Sequence, residues 1–283
     1  MTHLITGATG NIGSLVALRL IARGERPRIF VRDAEKARAR FGDRVDVAIG
    51  DLADGASLTS ALVGVDGVFL VNAGHDLDVR DALAAKVAKA SGVRHLVKLS
   101  SYDATEQNVG TGVWHARGEA AIRASGITFT FVQPSGFMSN ALFWARSIKA
   151  EGVVRTATGD GKIPFIHADD IADVATEALT TRKYDGAGLP ITGPEALSYA
   201  EMTEKIGAAI GRKLTFQTMS DDEARKQQIA WNAAPELVEA RISIFRAIRE
   251  GRLATVTGTV ESVLGRRPLT FAHWVEQNAT AFR

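Results

Sequence analysis

Leu4-Ile5-Thr6-Gly7-Ala8-Thr9-Gly10-Asn11-Ile12-Gly13 is the stretch on which the reading of the fold turns. A short apolar, β-branched run leads into glycines at every third position, and a segment of helical period follows. Asn11 to Ala22 puts Ile12, Leu15, Val16 and Leu20 on one face and Arg19 with Arg23 on another. Gly24 stands where a left-handed helix stop belongs. A strand that turns through glycines into a helix lets backbone N–H groups approach a pyrophosphate, because unpaired donors and the helix dipole both favour an anion there. Gly7, Thr9, Gly10, Asn11, Ile12 and Gly13 are therefore candidate dinucleotide-binding residues. The plainer alternative is a glycine-rich turn that holds nothing; the strand before it and the helix after it argue against that.

Outward from this turn the same alternation repeats. Strand-like runs fall at Arg28–Val31, Val45–Ile49, Gly67–Val71, His95–Leu99 and Thr128–Val132. Helical segments lie between them: Ala34–Phe41 behind an Asp33 cap, Asp78–Ser91 ending at Gly92, and Val113–Ala124 ending at Gly126. Single helices between strands imply a parallel sheet with right-handed crossovers, so the fold class is α/β, a Rossmann-type doubly wound sheet. Beyond Pro134 strands become sparse (Lys162–Ile166, Leu189–Thr192, Leu214–Gln217) and helices dominate (Asp170–Thr181, Tyr199–Ile210, Glu236–Glu250). The expected organisation is an NAD(P)-binding domain over residues 1–135, with 162–182 packing back on it. Residues 136–283 form a smaller, discontinuous lobe expected to cap the crevice outside the carboxyl ends of the strands.

Composition narrows the chemistry. Of 283 residues 46% are hydrophobic and 23% charged, ordinary globular usage that excludes wholesale disorder. There is no cysteine, which excludes disulfides, thiolate metal sites and cysteine nucleophiles. Lys and Arg number 34 against 32 Asp and Glu, a net charge of +2 that points to neither nucleic acid nor an anionic membrane as partner. Ala124 to Ala145 is free of charge, but Gln133, Pro134, Ser135, Gly136 and Asn140 interrupt it, so it reads as strand, loop and helix start. No basic segment followed by an apolar one precedes the first strand, and the expected location is the cytoplasm. Asp169-Asp170 with His167 reads as a strand end followed by a helix capped by Asp170, so no metal is expected. Ser100-Ser101 lacks the Gly-x-Ser-x-Gly elbow of a hydrolase. Arg241, Arg246, Arg249 and Arg252, set among Ile242, Ile244, Phe245 and Ile248, read as the wet face of an amphipathic helix.

The second strand ends in Val31-Arg32-Asp33-Ala34-Glu35-Lys36. An acid at this position takes the adenosine ribose in NAD enzymes, whereas arginine suits a 2′-phosphate. Arg32 comes first, and Lys36 lies one helical turn on, so both cations can converge on one phosphate. NADP(H) is the expected cofactor. Asp33 reads as a helix cap or as a ribose ligand, and in the second case NAD(H) would serve.

The chain resembles the NmrA-like atypical short-chain dehydrogenase/reductases, a group containing NADPH-dependent quinone oxidoreductases, triphenylmethane dye reductases and redox-sensing regulators. The likeness runs through Gly7–Gly13, Val31-Arg32 with Lys36, Gly50-Asp51-Leu52, Val71-Asn72-Ala73-Gly74-His75, Lys98-Leu99-Ser100-Ser101 and Gln133-Pro134-Ser135-Gly136-Phe137-Met138-Ser139-Asn140. Gly265-Arg266-Arg267-Pro268 and Phe271-Ala272-His273-Trp274-Val275 extend it to the tail. The resemblance implies that Asp51 and Leu52 border the adenine and that Asn72, Ala73 and Gly74 line the cofactor. It implies that Ser100, Pro134, Ser135 and Gly136 flank the nicotinamide. His75, Tyr102, Phe137, Met138, Trp144 and Trp231 become candidates for the substrate pocket; for the aromatic and Met residues, core packing is the competing reading.

One departure from the wider family is informative. That family uses a tyrosine proton donor with a lysine four residues later. Here the chain's 3 tyrosines, Tyr102, Tyr184 and Tyr199, are followed at that spacing by Glu106, Gly188 and Thr203. In Thr111-Gly112-Val113-Trp114-His115 the two positions fall to Thr111 and His115. Two readings remain. The first is a reductase of a quinone or similar planar acceptor that tolerates hydride without a strong acid, with Ser100, Tyr102 or His115 offering a hydrogen bond. The second is a non-catalytic NAD(P)-binding redox sensor that acts through a protein partner.

Overall fold

The computed structural model describes residues 1–105 and 109–283. The first half alternates as β1 (His3–Thr6), α1 (Asn11–Ala22), β2 (Arg28–Val31), α2 (Ala34–Phe41), β3 (Asp46–Ile49), α3 (Gly55–Ala61), β4 (Gly67–Leu70), α4 (Leu77–Ala90), β5 (His95–Leu99), α5 (Gly112–Ala124) and β6 (Phe129–Pro134). Then come α6 (Ala145–Glu151), β7 (Val153–Thr156), β8 (Lys162–Ile163), α7 (Ala168–Thr180), β9 (Gly188–Ile191), β10 (Leu197–Ser198), α8 (Tyr199–Ile210), β11 (Thr215–Thr218), α9 (Asp221–Ala230), α10 (Pro235–Arg249), α11 (Thr259–Leu264) and α12 (Phe271–Asn278).

Seven strands form one sheet in the order β3-β2-β1-β4-β5-β6-β9, and every pairing from β3 to β6 is parallel. Chain order reverses between β1 and β4, the switch point outside which open α/β sheets bind ligands. Thr6 fixes that point: its hydroxyl accepts from the Val71 N–H at 2.7 Å and donates to the Val71 carbonyl at 2.9 Å, clasping the ends of β1 and β4.

The chain divides into two compact units. The first holds Met1–Thr105, Trp114–Gln133 and Ala168–Pro190. Leu4, Phe30, Leu62, Val68, Leu96 and Phe131 contribute to its main apolar cluster. On its α1 side, Arg19 donates to Asp169 at 2.8 Å and to Asp173, and Arg23 donates to the Thr180 hydroxyl at 2.8 Å. These contacts tie α7 to α1. Asp170 does not cap this helix as expected. The helix opens at Ala168, so Asp169 and Asp170 both lie in its first turn, where carboxylates favour the dipole as they do at the cap.

The second unit holds Pro134–His167 and Ile191–Arg283, together with residues 109–113. It contains two small sheets, β8 with β10 antiparallel and β7 with β11 parallel. The expected strand Lys162–Ile166 shortens to β8, and Ile166 instead makes an isolated bridge to Phe137. Trp144, Phe165 and Tyr199 pack as a ring cluster, with Tyr199 5.2 Å from Trp144 and 5.8 Å from Phe165. Among the described residues no helix is long and apolar enough to cross a membrane.

Candidate functional site

At the end of β1 the glycines are required by space. Gly7 has φ +60, and a Cβ there would stand 2.9 Å from the Val71 Cβ. A Cβ on Gly13 would lie 2.4 Å from the Gly7 carbonyl oxygen, so the first turn of α1 can close on the loop only without a side chain. Gly10 is the N-cap, with extended backbone and no side-chain cap, and its N–H donates to the Gly7 carbonyl at 2.9 Å. No N-cap side chain covers the amino end of α1, and the helix dipole favours an anion there, so the loop fits a pyrophosphate. Ile12 faces inward at 3% exposure, while Thr9 and Asn11 face outward.

At the end of β2, Arg32 and Lys36 are exposed. Asp33 caps α2: its Oδ1 accepts from the Glu35 and Lys36 N–H groups at 3.1 Å each, and its Oδ2 lies 3.4 Å from Lys36 Nζ. The bond from the Lys36 N–H leads in holding this carboxyl below its ordinary pKa. Asp51 likewise serves its own turn, accepting from the Ala53 N–H at 2.9 Å, and Leu52 packs against the core.

Past β4, Asn72 is 9% exposed. Its Oδ1 accepts from the Ala73 N–H at 2.9 Å, and its Nδ2 donates to the Leu77 carbonyl at 2.9 Å and to Asp81 Oδ1 at 3.3 Å. Gly74 has φ +113, and a Cβ there would lie 2.9 Å from Arg80 Nη2. Arg80 donates to the Ala73 carbonyl at 2.7 Å and pairs with Asp76, while His75 is exposed.

Past β5, Ser100 is 4% exposed and donates its hydrogen to Glu119 Oε1 at 2.6 Å. Gln133 Nε2 donates to the same oxygen at 2.8 Å, and Arg123 lies 3.3 Å from Oε2. His115, one turn before Glu119 on α5, has its pKa pushed down to about 3, chiefly by burial, with the Lys98 cation adding to the effect. Its ring is neutral at ordinary pH and its Nδ1 is sealed from solvent. Lys98 Nζ in turn lies 2.6 Å from Asp81 Oδ2, both side chains wholly buried. Tyr102 is half-buried and opens the short turn Tyr102–Thr105.

The loops after β1, β4 and β5 thus stand at the carboxyl ends of neighbouring parallel strands. Four residues of this region escaped the sequence reading as site residues: Asp81, Lys98, Glu119 and Gln133. Lys98 carried a signal, a lysine within the run Leu96-Val97-Lys98-Leu99 of a strand expected to be covered on both faces.

In the second unit, Ser135 donates its N–H to the Ile191 carbonyl at 2.9 Å and its hydroxyl to the Pro164 carbonyl. A Cβ on Gly136 would meet the Phe165 ring at 2.4 Å. Met138 is 0% and Trp144 8% exposed, so both are spent on the packing of this unit, whereas Trp231 is 53% exposed at the end of α9. Among the described residues no three His, Asp or Glu side chains are grouped to hold a metal ion.

The family described as NAD(P)H-binding matches residues 7–182. The chain is 38% identical over 281 residues to the (4-alkanoyl-5-oxo-2,5-dihydrofuran-3-yl)methyl phosphate reductase of Streptomyces griseus, covering 99% of this chain and 98% of that protein. It is 36% identical over 283 residues to the NAD(P)H azoreductase of Xenophilus azovorans, covering 99% and 98%. The NADPH-dependent quinone oxidoreductase of Escherichia coli, solved with NADPH, has the same fold, with a TM-score of 0.89 at 24% identity over 98% of this chain and 99% of that one. The chain belongs to the NAD(P)H-binding oxidoreductases, in the NmrA-like group of atypical short-chain dehydrogenase/reductases.

Proposed function

We propose that the protein is an NADPH-dependent reductase that passes hydride to a quinone or similar planar conjugated acceptor, with no dedicated proton donor. NADPH, when bound, supplies the hydride. The amino end of α1 with Gly7–Gly13 holds the pyrophosphate, and Arg32 with Lys36 holds the 2′-phosphate. Asp51 and Leu52 border the adenine, Asn72–Gly74 line the cofactor, and Ser100 lies at the nicotinamide end.

One observation carries the reading: of the three candidate donors Ser100, Tyr102 and His115, Ser100 and His115 are not poised for the role. Ser100 has its hydrogen committed to Glu119, and His115 is held neutral with Nδ1 closed off. A quinone that takes hydride becomes a delocalised phenolate, so it never develops the localised alkoxide for which a general acid is worth about 10²–10⁴-fold. Positioning then supplies most of the catalysis. The two relatives, by their names reductases of an oxo-dihydrofuran phosphate and of azo compounds, also act on unsaturated acceptors.

The test mixes the protein with NADPH and a panel of quinones, with an azo dye in parallel, and follows cofactor absorbance. Turnover of quinones is expected. Tight NADPH binding without oxidation across the panel would sink the reductase reading in favour of a sensor. His115→Ala and Tyr102→Phe should each change kcat by less than about threefold; a loss of about 10²-fold or more would identify a proton donor.

A further inference from the structure

A carboxylate and an ammonium with no exposed surface, Asp81 and Lys98, pair inside the first unit. Asp81 lies on α4 among Leu77, Ala84, Ala85 and Ala88, all buried. Lys98 lies on β5 among Leu96, Val97 and Leu99, in register with Leu70, the last residue of β4. Such a pair is a poor device for stability, since desolvating two charges costs several kcal/mol each and apolar side chains of the same volume often do as well or better. Its placement suggests another use. While Asp81 Oδ2 faces Lys98, Oδ1 accepts from the Asn72 amide, the side chain that also grips the Ala73 N–H and the Leu77 carbonyl. α5 passes so close to Asp81 Oδ2 that a Cβ on Gly118 would lie 2.2 Å from it. Oδ2 is thus hemmed in by Lys98 and α5, and Oδ1 is left to Asn72.

We infer that Asp81, held by Lys98, is the positioning residue that sets Asn72 and through it the cofactor-lining turn Asn72-Ala73-Gly74. This rests on the placing of that turn against NAD(P)H in the proposed function. Lys98 anchors one oxygen, the other oxygen orients the Asn72 amide, and the amide fixes the direction of the Ala73 N–H. Neither charged residue touches the cofactor.

Two double variants separate this role from simple support of the fold. Asp81→Ala/Lys98→Met removes both charges and the acceptor for Asn72; Asp81→Asn/Lys98→Met removes both charges but keeps an acceptor oxygen. NADPH affinity is read by fluorescence titration without any acceptor present, and Tm is read alongside. The alanine pair should bind NADPH about tenfold more weakly, and the asparagine pair should return to within about threefold of the wild type. A purely structural role would move Tm without splitting the two affinities, and that result overturns the inference. Asp81→Leu/Lys98→Met, which fills the volume, answers the same question should the alanine pair fail to fold. Asn72→Ala distinguishes the two layers. If it weakens NADPH while the alanine or leucine pair does not, only the role of Asp81 falls. If Asn72→Ala also leaves affinity unchanged, the placing of the turn on the cofactor falls with it.

Discussion

Arg32 is exposed, while the carboxylate next to it in sequence is occupied with α2 and Lys36. A guanidinium in that position offers paired N–H donors to a phosphate and nothing of equal value to a ribose hydroxyl. Arg32→Ala should therefore weaken NADPH by ~1.5–3 kcal/mol and leave NADH unchanged in a direct titration. Equal losses for both cofactors would remove Arg32 from the phosphate. The roles of single residues divide by how local their partners are. Gly13 was legible because the demand on it, the Gly7 carbonyl, arises within a few residues of chain. The commitment of Ser100 to Glu119, and of Asp81 to Lys98, was not, because each pair joins different elements and nothing in the spacing marks the partner. Met138 and Trp144 looked like pocket walls for the same reason: composition shows an apolar side chain but not which side of it faces solvent.

For the elements, α2 offers a clean separation of capping from binding. Asp33→Ala removes two N-terminal hydrogen bonds and should lower the urea midpoint, with the ratio of NADH to NADPH affinity unchanged. A change in that ratio would give Asp33 a place on the ribose. Helix ends were readable wherever one residue decides them. α1 runs over the expected Asn11–Ala22, and Gly24, Gly92 and Gly126 adopt φ of +81, +80 and +70. The start of α7 was misread because an acidic pair suits the cap and the first turn alike, and the backbone chose the second. Short runs in the second unit were the least legible, since β8 is only 2 residues long and depends on antiparallel pairing with β10, far along the chain.

The whole molecule should respond to acid through two desolvated imidazoles, buried His95 and half-buried His115. Burial lowers the pKa of His95 to about 4, against a partial offset from Asp185, and that of His115 to about 3. In the unfolded chain both would titrate near 6.5, so between there and the folded values the unfolded state binds more protons. Stability is thus fully present above pH 6.5 and is lost as pH falls, by roughly 2–3 kcal/mol for His95 on reaching pH 4. Urea midpoints taken at intervals from pH 7 to pH 4 should fall, and a His95→Gln/His115→Gln variant should give a flatter curve. An unchanged slope in that variant would refute the assignment. Carboxylates held low, such as Asp66 beneath the Thr2 N–H, act in a separate window, below about pH 4.

Arg19, which braces the helix behind the glycine turn, reaches a partner 150 positions further along the polypeptide. On the ribosome the glycine turn therefore emerges early and waits for its brace. A nascent chain arrested before Asp169 would carry the turn without the clasp of α7, so that brace forms only late in synthesis.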